Sequence, residues 1–173
     1  MTRAFPKIAH YPFTTLRPHV GYARFVDNSS IVLADLPGII EGAHLNRGLG
    51  HQFLQHAERT KVILYVIDGT EIIDDRNPIK DFKVLHDELS KFNGGTLLEK
   101  PSLIALNKSD RPYTHFNKKY KSLKESLENF NIDSEHAEAI SKIPIVPISA
   151  KEGTNLEVLL EALREMVLKY DEE

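Results

Sequence analysis

Cysteine and tryptophan are absent from this 173-residue chain, and methionine occurs only twice. Without thiols the chain can form neither disulfides nor thiolate metal sites, which fits a reducing, intracellular compartment. Long apolar runs are lacking too: stretches such as Val62–Ile67 fall far short of the roughly 18 residues that a membrane span needs, so no membrane association is expected. The opening "MTRAFPKIAHYPF" has neither a signal-peptide apolar core nor an Arg- and Ser-rich amphipathic stretch, so no targeting segment is expected within these residues. An excess of either charge is also missing. With 22 Lys and Arg against 25 Asp and Glu, the net charge of -3 gives no basic nucleic-acid footprint and no acidic tail. Neither repeats nor low-complexity tracts occur. What is present is 41% hydrophobic residues in a length suited to one domain, enough for a core.

The apolar residues come in short runs that alternate with helical patterns. "VGYARF" (20–25) and "IVLAD" (31–35) flank the turn signal "VDNSS" and read as an antiparallel pair. Leu45, Leu49, Phe53, Leu54 and Ala57 recur at helical spacing. "VILYVID" (62–68) reads as a buried strand, and a helix over 80–91 ends at Asn93, Gly94 and Gly95. Strand "SLIALN" follows, then a polar helix starting near Asn117 and a weakly patterned polar insertion at about 128–143. "IPIVPIS" is the last strand. Thr154 with Glu157 has the spacing of a capping box before a final helix that carries Leu156, Leu159, Leu160, Leu163 and Val167 on one face. This alternation predicts an α/β domain whose mostly parallel sheet has helices on both faces.

In such sheets ligands bind at the carboxyl ends of the strands. Three of the predicted strands end in polar groups there: Asp35 in "ADLPG", Asn107 in "LNKSD" and Ser149 in "ISAK". Asp-x-x-Gly alone is weak, since chance yields it about once in every chain or two of this length, and its bland alternative is a turn after a strand. Ser-Ala-Lys alone is weak as well. Asn-Lys-x-Asp is rarer, at roughly 0.02 chance occurrences, and competes with a merely capped loop. The joint occurrence carries the weight. Each motif falls at a strand end, in the right order, with room between them for βα units.

These residue types suit guanine. A carboxylate at Asp110 can accept from the N1–H and the exocyclic amine, a donor pair that adenine lacks. The Asn107 amide can donate to N7 and also tie neighbouring loops. The stems of Lys108 and Lys151 can cover the flat faces of base and ribose, and the backbone N–H groups of Ser149 and Ala150 can meet the guanine carbonyl oxygen.

"PKIAHYPFTTLRPHVG", "ADLPGIIEGAH", "GLGHQFLQHAERT", "NKSD" and "ISAKEG" together resemble the Obg family of GTPases, along most of the chain. The resemblance implies a Ras-like P-loop GTPase fold, GTP or GDP with Mg²⁺ as ligands, slow GTP hydrolysis, and a role in assembly of the large ribosomal subunit, with that subunit or its rRNA as partner. It implies that "PFTT" is the first switch, with Thr15, and next to it Thr14, as the metal ligand. In the second switch, Asp35 would hold Mg²⁺ through water and the Gly38 amide would contact the γ-phosphate. Ile39 stands where Ras-like proteins carry a water-orienting Gln, so intrinsic hydrolysis should be slow. Gly38 and Ile39 are the catalytic candidates. The implied location is the cytoplasm for a bacterial protein and the mitochondrion or nucleolus for a eukaryotic one, and the polar insertion leans eukaryotic.

One departure stands out. Gly-x-x-x-x-Gly-Lys occurs nowhere in the 173 residues, although this phosphate loop, with the strand before it and the helix after it, precedes the first switch in the family. The chain is therefore expected to be a partial Obg-type G domain over 1–173 that lacks the first strand, P-loop and first helix and holds phosphates weakly. The absent strand would leave two inner sheet edges unpaired unless the strands ending at Asp35 and Asp68 pair directly. A second functional expectation follows: a non-catalytic module that docks on the ribosome or a protein. His44, His51 and His56 lack ligand spacing with a carboxylate and are expected to fix the switch or the helix surface. The locally basic "SDRPYTHFNKKYKSLK" reads first as a solvated helix start and second as an RNA contact.

Overall fold

The computed structural model describes residues 19–36, 56–70, 77–129 and 137–172. Strands β1 (His19–Arg24) and β2 (Ser30–Asp35) form an antiparallel hairpin in which Tyr22 faces Val32 and His19 faces Asp35. The predicted turn residues build its tip. Asp27 Oδ1 accepts from the Ser29 N–H at 3.0 Å and the Ser29 hydroxyl at 2.6 Å, and Asn28 takes a φ of 65°, which Asn tolerates better than most residues. A second sheet is parallel, with β4 (Ser102–Asn107) between β3 (Ile63–Asp68) and β5 (Ile145–Pro147). Asp68 and Asn107 are register partners at the carboxyl edge.

β4 is central because both of its faces are apolar. Leu103, Ile104, Ala105 and Leu106 are all fully buried, as a strand covered on two sides requires. Ile104 and Leu106 join Tyr65, Ile67, Phe82, Leu89, Phe116 and Leu123 in one core, under helices α1 (Pro78–Lys91) and α2 (Tyr113–Glu128). Leu103 and Ala105 pack on the other face with Ile148, Leu159 and Leu163, under helix α4 (Leu156–Glu172). Ile31 and Leu33 of β2 reach that second core, so the hairpin shares it with the parallel sheet. Arg164 of α4 ties the hairpin down: it pairs with Asp27 and lies 4.6 Å from the Phe25 ring centroid. Among the described residues β2 bonds only to β1 and β3 only to β4, and the two do not pair with each other.

Several boundaries differ from the sequence reading. α1 begins two residues early because Asn77 caps it, its Oδ1 accepting from the Ile79 N–H at 3.1 Å ahead of Pro78 in the first turn. A 3₁₀ turn over Asn93–Glu99 follows, entered through Gly94 and Gly95 at φ 71° and 87°, which conceal it from any periodicity. α2 begins at Tyr113 rather than near Asn117, directly after Pro112, whose fixed φ suits a helix entry. The capping box does not form as expected: helix α4 starts at Leu156 after Asn155 at φ 56°, while Thr154 pairs by a β-bridge with Ser149. Of the polar stretch 128–143, Glu128 closes α2 and Ala137–Ser141 form the short helix α3, whose Ile140 is buried in the first core; 130–136 lie outside the described residues.

Candidate functional site

The carboxyl ends of β4 and β5 bring "NKSD" and "SAK" together. Pairing continues past the strands, the Ile148 N–H donating to the Leu106 carbonyl at 2.9 Å and the Ser109 N–H to the Ile148 carbonyl at 3.0 Å. Asn107 Oδ1 accepts from the Ala150 N–H at 2.9 Å and from the Lys108 N–H at 2.8 Å, so one amide oxygen ties both loops. The Ser149 hydroxyl donates to Asp110 Oδ1 at 2.6 Å and accepts from the Glu152 N–H at 3.1 Å, while Ser149 itself is fully buried. This bond aims an exposed carboxylate. It also holds the Asp110 carboxyl below its ordinary value, against desolvation and with help from Lys151 and Arg111 nearby.

The two backbone donors expected to meet a guanine carbonyl oxygen are engaged within the chain: the Ser149 N–H donates to the Thr154 carbonyl at 3.1 Å and the Ala150 N–H to Asn107. The tight turn that closes on Thr154 consumes the first, and the loop tie consumes the second. The next N–H, at Lys151, is the donor this loop leaves over, and the Lys151 ammonium pairs with Glu152 at 2.8 Å on the exposed side.

Lys108 has a left-handed φ of 71°, a strained conformation for a residue with a Cβ that the Asn107 bond to its N–H helps to hold. Its ammonium lies 2.5 Å from Asp68 Oδ2 at the end of β3. Asp68 Oδ1 in turn accepts from the Thr70 N–H at 2.9 Å and hydroxyl at 2.7 Å. Partial burial pushes the Asp68 carboxyl up, but the Lys108 and Thr70 donors outweigh that and leave it below its ordinary value. Gly69 lets β3 pass this close: its N–H donates to the Asn107 carbonyl at 2.9 Å, and a Cβ there would lie 2.4 Å from the Phe116 ring and 2.8 Å from that carbonyl. Asp68 and Thr70 were missed in the sequence, where "VIDGT" reads as a strand end and matches no motif; the available signal was a polar strand end of the same kind as Asn107.

Asp35 closes β2 and is exposed. Thr14, Thr15, Gly38, Ile39, His44 and His51 lie outside the described residues, and His56 sits half-buried in a helical turn. Among the described residues no three His, Asp or Glu converge on a point. Of the two Mg²⁺ ligands that the resemblance implies, Asp35 is described and Thr15 is not.

The chain's likenesses are consistent along its length. A family model described as a 50S ribosome-binding GTPase matches residues 1–108, and one described as the elongation factor Tu GTP binding domain matches residues 96–169. The GTPase Obg of Halalkalibacterium halodurans is 43% identical over 169 residues, covering 96% of this chain and 35% of the relative. The GTPase Obg of Staphylococcus aureus (strain Newman) is 40% identical over 172 residues, covering 98% and 36%. The chain thus spans about a third of the length of these relatives. Among solved structures, Era in complex with MgGDPNP and nucleotides 1506–1542 of 16S ribosomal RNA superposes with a TM-score of 0.61 at 25% identity, covering 92% of this chain and 47% of that one. Aquifex aeolicus Era bound to GDP and AlF₄⁻ gives 0.60 at 25% identity, with the same coverage.

Proposed function

The chain belongs to the 50S ribosome-binding GTPase family, with Obg GTPases as its curated relatives, and we propose that its β4–β5 edge binds the guanine base of GTP or GDP. The observation that carries this reading is the pair of cross-loop bonds, Ser149 to Asp110 and Ala150 to Asn107, which tie the two motifs together at the end of β4. A carboxylate can accept from the N1–H and exocyclic amine of guanine and an amide NH₂ can donate to N7, whereas adenine lacks that donor pair for Asp110.

In the intact protein this edge serves GTP binding and slow GTP hydrolysis. Thr15 and Asp35 would hold Mg²⁺, which would neutralise the phosphates, and Gly38 and Ile39 would line the γ-phosphate. The partner is the large ribosomal subunit or its rRNA, in the assembly of that subunit, and the location is the cytoplasm in a bacterium or the mitochondrion or nucleolus in a eukaryote. The family description supports the large subunit, and the Era complex with 16S ribosomal RNA supports contact with ribosomal RNA in general.

Titration of this chain with guanosine, GDP and ADP, followed by amide chemical shifts, tests the reading. Guanosine and GDP should bind comparably and weakly, perturbing Ser109–Asp110 and Ser149–Lys151, and ADP should bind at least tenfold more weakly still, about the discrimination one unmatched buried hydrogen bond gives. Equal binding of ADP would refute the guanine site. Submicromolar GDP would refute the claim that the phosphates are weakly held.

A further inference from the structure

Lys108 is expected to cover one face of the base with its methylene stem, yet a lysine side chain has many rotamers and must be ordered to do so. The structure supplies what orders it. The strand pairing puts Asp68 directly beside Asn107, one residue before Lys108, and on the side of β4 opposite the Ser149 and Ala150 loop. From its left-handed backbone, Lys108 reaches across to the end of β3, where its ammonium meets Asp68 Oδ2 at 2.5 Å. The acceptor is itself fixed. Its second oxygen takes two bonds from Thr70, which is buried, and the backbone between them is held by the Gly69 N–H on the Asn107 carbonyl.

We propose that Asp68 is a positioning residue of the guanine site: with Thr70 behind it, it anchors the far end of Lys108 so that the stem is laid out before the base arrives. The proposal rests on the guanine reading given above and adds a residue on a third strand to it. The pair is partly exposed on both sides, so it contributes little to folding stability. Its effect belongs to binding, where a side chain already ordered need not be ordered again.

Asp68→Asn is a close test, because an Asn keeps one oxygen for Thr70 but offers none to the ammonium. The chain, Asp68→Asn, Lys108→Met and the double variant are each titrated with guanosine and with inosine, which lacks the exocyclic amine that Asp110 reads. Asp68→Asn should weaken both nucleosides equally, by roughly two- to tenfold, the size set by immobilising one long side chain. The guanosine-to-inosine ratio should stay as in the parent chain, and Asp68→Asn should cost nothing further once Lys108 is Met. Thr70→Ala, which frees the carboxylate without removing charge, should give a smaller loss in the same direction. Unchanged or tighter binding by Asp68→Asn, a loss repeated in the Lys108→Met background, or an altered ratio would overturn the positioning role. If the parent chain fails to prefer guanosine to adenosine, the guanine reading itself falls, and that result is read before any Asp68 variant enters.

Discussion

Ser149 does its work through Asp110. Its buried hydroxyl donates to the carboxylate and accepts from Glu152, so one small side chain fixes both the proposed base reader and the loop that follows. Ser149→Ala should weaken guanosine binding severalfold, since a free carboxylate must be reoriented on each encounter. It should also raise the Asp110 pKa toward its ordinary 3.8. The sign follows from linkage. A carboxyl depressed in the fold contributes stability fully above its unfolded pKa and loses it as pH falls through the lower folded value. Carbon-detected titration of Asp110 in both proteins reads the shift, and no change on Ser149→Ala would show that the hydroxyl does not hold the carboxylate.

Elements set where these residues meet. The close approach of the β3 end to β4 depends on Gly69, and Gly69→Ala would drive a methyl into the Phe116 ring and the Asn107 carbonyl. Urea unfolding should register a loss of about 1–3 kcal/mol, the range for overpacking a filled site. The hairpin is coupled to α4 through Asp27, whose pKa the Ser29 bonds, and after them Arg164, lower to about 2. Thermal melts should show the parent chain losing that contribution as pH falls from 3.8 toward about 2, and Asp27→Asn should lack this part of the acid limb. These elements were legible to different degrees. The hairpin, β3 and β4 stand out because apolar runs stop at Asp, Asn or turn residues. The early start of α2 did not, because "RPYTHF" has a polar first turn, and the 3₁₀ turn hides behind two glycines of positive φ. Thr154 misled because its spacing to Glu157 imitates a cap, whereas the Ser149 loop claims its backbone. Within the site, Asn107, Lys108, Asp110 and Ser149 were readable because their motifs are rare in combination. Asp68 was not, because its role comes from a strand neighbour 40 residues away in sequence.

At the scale of the whole molecule, β4 is sandwiched between two cores, α1 and α2 on one side and α4 on the other, and its buried length delivers Asn107 to a shared edge. No helix among the described residues is long and apolar enough to cross a membrane. The most direct test of the guanine claim is the affinity of Asp110→Asn for guanosine and for xanthosine, in which a carbonyl replaces the exocyclic amine. An Asn side chain offers that carbonyl an NH₂ donor where Asp offered an acceptor, so preference should pass from guanosine to xanthosine. Guanosine affinity left unchanged by the substitution would contradict the account.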